Sequence, residues 1–124
     1  MREILFHAGA VIIFVWGVVH IISTKSIVLD FKLVDPDKRL ILTMEWIAEG
    51  LTLCFIGLLV LLTTIFAGSC RSAANSVYIS SSVMLFLMSV LSLFTGARTK
   101  ILPMKICPVI KTLTALMIIT GLIL

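Results

Sequence analysis

The sequence predicts an all-α fold, an integral membrane bundle of four transmembrane helices in a single domain, and three observations carry that prediction. Of the 124 residues 60% are hydrophobic and only 13% charged, whereas a soluble domain averages about 45–50% apolar and about 25% charged. The charges gather in short runs that leave four long apolar stretches between them. At roughly 20 residues per crossing, four helices consume the chain. No separate nucleotide-binding domain, zinc finger or ectodomain has room to fold, and the excess of ten Lys and Arg over six Asp and Glu becomes a topology signal.

The first helix is expected over 4–24, because the 21 residues from Ile4 to Thr24 carry no formal charge. That run exceeds the roughly 7–15 residues of a secretory signal core and no small-x-small site follows it, so the helix is expected to be retained. Residues 25–35 then form a loop. Its stretch Ile27–Val34 is too apolar to float in water and is expected to lie along the bilayer surface.

The second helix is expected over 36–67. Asp35 precedes Pro36 as an N-cap precedes a first-turn proline. The purely apolar run, Leu51 to Phe66, has only 16 residues, so the crossing must borrow Trp46 to Gly50. That places Glu45 near the headgroups and Glu49 just inside the hydrocarbon. The third helix is expected over 73–97, with Ser80, Ser81, Ser82, Ser89 and Ser92 as small polar residues that favour close helix contact in lipid. The fourth is expected over 105–124, where counting about 20 residues back from Leu124 reaches Lys105. On that frame Pro108 falls in the first turn, where a missing N–H costs little, and Lys111 lies inside the span.

Eight Lys and Arg residues flank the loops joining helices 1 to 2 and 3 to 4, and two, Arg2 and Arg71, lie on the opposite side. The positive-inside rule therefore predicts a multi-pass protein of the cell membrane with both loops cytoplasmic and both termini outside. With that topology His20, Glu45, Glu49 and Lys111 converge on one half of the membrane. A carboxylate in hydrocarbon needs a partner, and Glu45 and Glu49, four apart, share a helical face. Two readings follow. In one the four residues form an intramembrane site that binds, or acts on, a lipid-like or small amphiphilic ligand, or moves a proton. In the other they lock the helices together in a structural or accessory subunit, Glu45 being interfacial and Lys111 reaching to the headgroups. A dimeric proton-coupled transporter is a third reading.

Gly9, Ile13, Trp16, Gly17 and His20 follow one helical face, and Gly50, Cys54 and Gly57 have comparable spacing on helix 2. Gly9, Gly17, Gly50 and Gly57 read as helix-packing positions. His7 and His20 lie about 140° apart around the helix and nearly 20 Å apart along it, so neither haem ligation within one chain nor a shared site is available to them. Cys54, Cys70 and Cys107 are expected at three depths, which excludes an intrachain disulfide, and Cys70 could at most link two chains. The loop acids Asp30, Asp35 and Asp37 alternate with Lys32, Lys38 and Arg39. No metal site and no cofactor is predicted. The expected partners are the bilayer, a lipid-like ligand, and a second copy or another membrane protein, with nucleic acid excluded.

Through Trp16-Gly17-Val18-Val19-His20 and Glu45-Trp46-Ile47-Ala48-Glu49-Gly50-Leu51 the chain resembles the small four-helix bacterial membrane proteins called DoxX-like. The resemblance implies a compact four-helix bundle along the whole chain and transfers no catalytic residue. The small multidrug transporters, of similar size, are similar to one another in a membrane-embedded glutamate in helix 1. Here helix 1 has none after Glu3.

Overall fold

A computed structural model describes residues 1–32, 35–66 and 71–124. Four helices run through them: α1 (Arg2–Asp30), α2 (Pro36–Phe66), α3 (Arg71–Phe94) and α4 (Leu102–Ile123), with a single 3₁₀ turn at Gly96–Arg98 between the last two. No strand occurs among the described residues. Each of the four spans is long and apolar enough to cross a membrane. Large apolar side chains such as Ile4, Ile22, Phe55, Leu87 and Val109 cover the outside, as lipid rather than water would demand.

Three expectations change. The first helix does not stop at Thr24: residues 25–30 continue α1, and Ile27 and Val28 are buried inside the protein. The apolarity that suggested a surface-lying loop is spent on packing, and α1 ends where Lys32 takes a left-handed backbone (φ 49°) and donates its N–H to Leu29 at 3.0 Å. Asp35 then caps α2 as expected, its carboxylate accepting the Asp37 N–H at 3.0 Å. The remaining loop residues 33 and 34, the end of helix 2 at 67 and Cys70 lie outside the described residues.

The second change concerns α4, which starts at Leu102 with Pro103 in its first turn, a position where proline's fixed φ is favourable. Thr99 prepares that start by accepting the Ile101 N–H and donating to Gly96 O. Pro108 is therefore inside the helix, where it removes the bond that the Met104 carbonyl would otherwise receive. At the far end of α3 the helix stops at Phe94, short of the expected 97, and hands over to the 3₁₀ turn.

Packing follows one stripe per helix. On α1 it is Phe6, Gly9, Ala10, Ile13, Gly17, His20 and Thr24; on α4 it is Cys107, Lys111, Thr114, Ala115, Ile118 and Gly121. α1 packs against α2 and α4, and α3 packs against α4, while α2 and α3 touch least. The α1–α2 seam is built on glycine. A Cβ on Gly17 would lie 2.7 Å from the Cys54 backbone nitrogen and from Gly50 O, and one on Gly57 would lie 2.8 Å from Ala10 O. These helices approach backbone to backbone, which in lipid supplies the close van der Waals contact that holds them.

The two halves of the bundle differ in chemistry. Phe6, Ala10, Ile13, Leu53, Val60, Tyr78, Leu85 and Ile118 form an apolar core toward the end where the chain begins. Tyr78 stacks on Phe6 with ring centroids 4.0 Å apart and bonds Thr64 at 3.0 Å, closing α2 onto α3 at that end. From His20 onward the interior becomes polar.

Candidate functional site

Polar side chains from all four helices meet in the second half of the bundle. Glu49, on the fourth turn of α2, projects toward α4, where the fully buried Lys111 donates a charge-assisted hydrogen bond to its Oε1. Lys111 also donates to Ser92 Oγ of α3 at 2.7 Å. Ser92 in turn donates to Met88 O, so its lone pair is free for the ammonium. The ammonium is thus held by a carboxylate and a hydroxyl from two helices, and no reach to the headgroups occurs. Buried charge is tolerated only in such a paired and hydrogen-bonded state.

Cys107 stands one turn before Lys111 on the same face of α4. Its sulfur lies 3.5 Å from His20 Nε2 and 3.6 Å from Glu49 Oε1, so the thiol sits between the imidazole and the carboxylate, with one proton to give to either. The imidazole is fixed from several directions. Its Nδ1 lies 3.2 Å from Trp16 O, and since a carbonyl only accepts, Nδ1 carries the proton and Nε2 faces the sulfur with its lone pair. The ring stacks on Trp46 (centroids 4.7 Å, 18° between planes) and meets Trp16 edge-on. Trp46 donates its indole N–H to His20 O at 2.8 Å, and Thr24 donates to the same carbonyl at 3.0 Å. Gly50 makes this possible, because a Cβ there would lie 3.1 Å from His20 Cβ and 2.9 Å from Gly17 O.

Ser89 extends the polar cluster on α3, donating to Pro108 O at 2.8 Å and receiving the Thr112 hydroxyl at 2.7 Å. Trp16 Nε1 is buried and has no nitrogen or oxygen acceptor among the described residues; its indole lies against the Cys107 thiol.

A cavity of about 420 Å³ opens from this cluster between α2 and α3. Glu49, Lys111, Cys107 and Ser92 line its polar floor, and Leu42, Ala48, Thr52, Met88, Leu91 and Met104 are among its walls. It occupies the end of the α2–α3 contact opposite Thr64 and Tyr78. Its lining reaches from Glu49 and Lys111 to Glu45, Thr95 and Gly96, toward the end of the bundle where α2 and α4 begin. Glu49 keeps 27% of its side chain exposed on this cavity, and Lys111 none.

Of the residues singled out in the sequence, His20, Glu49 and Lys111 come together. Glu45 lines the cavity but is exposed at its rim and takes no part in the cluster. His7 binds the Glu3 carbonyl at 2.8 Å, far along α1 from His20. Gly17, Gly50 and Gly57 lie in the tight seam. Gly9 faces α4 instead, with 3.5 Å or more of room for a Cβ. Cys107 and Ser92 were not read as site residues, and neither were the two tryptophans that hold His20. For Cys107 the available signal was its i, i+4 relation to Lys111.

No family model matches the chain, and neither a curated protein nor a solved structure matches it.

Proposed function

We propose that this multi-pass membrane protein binds, or acts on, a lipid-like or small amphiphilic ligand, whose polar head sits at Glu49, beside its ion pair with Lys111, and whose apolar part lies in the opening between α2 and α3. The observation that carries this reading is the cavity. Its volume of about 420 Å³ falls within the range of about 300–1,000 Å³ common for small-molecule sites. It joins an apolar wall to an ion pair at its floor and opens between two helices of membrane-spanning length beside the exposed Glu45, which suits a molecule with one polar and one apolar end. The positive-inside rule puts the site toward the cytoplasmic leaflet, about one to two helical turns inward from Lys25 and Lys105. Both motifs of the DoxX-like resemblance, Trp16–His20 and Glu45–Leu51, fall at this site, and that kinship is kept as part of the proposal.

The test is native mass spectrometry of the protein released from mild detergent. A defined adduct of lipid or amphiphile mass is expected on the wild type. It should be lost in the double variant Glu49→Gln/Lys111→Met, which removes both charges without leaving either unpaired, and kept in Glu45→Gln. A bare chain, or an adduct indifferent to the double variant, rejects the reading. A second reading, a structural subunit locked by the ion pair, draws on the full burial of Lys111. It predicts a bare chain in the same spectra and co-purification with another membrane protein.

A further inference from the structure

We propose that His20, Glu49 and Cys107 form a binding site for a soft divalent cation of the zinc type, with its fourth coordination position open to the cavity. The three side chains come from three different helices, and their donor atoms all lie within 4.8 Å of one another. The two spacings from the sulfur are already those of a coordination shell. Zn–N and Zn–O bonds of about 2.0–2.1 Å and a Zn–S bond of about 2.3 Å, at tetrahedral angles, put donor atoms about 3.5 Å apart. The sulfur lies 3.5 Å from His20 Nε2 and 3.6 Å from Glu49 Oε1.

The surroundings are those of a metal-ligating histidine. Nδ1–H is engaged by the Trp16 carbonyl, which directs the Nε2 lone pair inward and fixes the ring, the usual outer-shell arrangement. The ligands by themselves balance the ion, a thiolate and a carboxylate with a neutral imidazole against a divalent cation, while the adjacent Lys111 ammonium adds one positive charge that opposes binding. On binding, the Cys107 S–H proton is displaced and leaves through the cavity to the buffer. Glu49 and Cys107 line the cavity while His20 sits behind them under Trp46, so the ion's remaining position faces the space where a ligand enters. Three protein ligands of mixed N, S and O type with one open position are the pattern of reactive rather than structural zinc sites. Lys111 is a built-in competitor, because its ammonium holds the same Glu49 Oε1 that the metal would take. Ser92 is its alternative partner.

This inference is independent of the amphiphile reading, since it needs the three side chains and no occupant of the cavity. The test titrates the full-length protein, stripped with chelator in mild detergent, with Co²⁺ as a spectroscopic probe. One Co²⁺ per chain should bind, giving visible ligand-field bands and a near-ultraviolet thiolate-to-cobalt band, both bleached by added Zn²⁺. Cys107→Ser should abolish the thiolate band, and Cys54→Ser should keep it. His20→Ala should weaken binding by at least about tenfold, and Lys111→Met should tighten it by about tenfold or more. The gain in Lys111→Met guards the test, because misfolding cannot raise affinity. Absence of cobalt bands in the wild type, a thiolate band that survives Cys107→Ser, or affinity unchanged in Lys111→Met overturns the proposal.

Discussion

Glu49 and Lys111 form one ion pair, yet the two residues are not equivalent. Lys111 is fully buried, whereas Glu49 keeps 27% of its side chain open to the cavity. Replacing the carboxylate by an amide leaves an ammonium in a low-dielectric interior with only neutral acceptors, the glutamine oxygen and Ser92, whereas removing the ammonium leaves a carboxylate that can be hydrated from the cavity. Breaking a buried pair from one side costs about 3–5 kcal/mol. Glu49→Gln is therefore expected to lower stability by about 2–4 kcal/mol, and Lys111→Met to change it by no more than about 1 kcal/mol. The double variant should restore most of the loss. Thermal unfolding of the three variants in one detergent measures this, and equal losses for the two single variants would contradict the asymmetry. At this scale the sequence was partly legible. Glu49, His20 and Lys111 stand out because ionisable side chains inside apolar runs are rare and expensive. Cys107 did not stand out, since a cysteine in an apolar helix has the hydropathy of its neighbours. Ser92 resembled the other α3 serines, and only the fold separates the serine that accepts the Lys111 ammonium from Ser80, which is exposed and bonds its own helix.

At the scale of elements, glycine spacing marks a packing face but not which face is tight. Gly9, Gly17, Gly50 and Gly57 share one sequence signature, yet only the last three meet backbone across α1 and α2. A methyl group on Gly17 must displace the Cys54 backbone and Gly50 O, so Gly17→Ala should destabilise the protein by the roughly 1–3 kcal/mol of an overpacked core. It should also perturb the adjacent His20 and with it any adduct. Gly9→Ala has room and should be within about 0.5 kcal/mol of wild type. Melting temperatures of the two variants decide it, and a Gly17→Ala protein as stable as Gly9→Ala would refute the seam as drawn. The same limit explains the two boundary corrections. Charge-free runs locate a membrane span, but helix does not end where hydrocarbon ends: α1 continues past Lys25 because Ile27 and Val28 have protein to pack against. The start of α4 is set by Thr99 and Pro103 rather than by a count back from Leu124.

For the whole molecule, four spans follow from composition and length alone, because a bilayer accepts few other structures. The order of contacts does not. The weak α2–α3 contact, which leaves the cavity, depends on side chains from four helices meeting at one level, and spacing within each helix carries no information about its neighbours. Orientation is a separate matter decided by flanking charge, where eight Lys and Arg face two. On the proposed function it decides which leaflet would supply a ligand to the α2–α3 opening. Cys107 is a poor reporter of orientation, since it is only 3% exposed and would stay silent on either side. Exposed positions next to the helix ends serve better: Asp37 at the start of α2 and Ser72 at the start of α3. With the three native cysteines replaced by serine or alanine, Ser72→Cys should react with a membrane-impermeant maleimide on intact cells, whereas Asp37→Cys should react only after permeabilisation. The positive-inside rule requires that pattern. Reversed labelling would turn the bundle over, place the cavity toward the outer leaflet, and make any amphiphile it takes a molecule delivered from outside the cell.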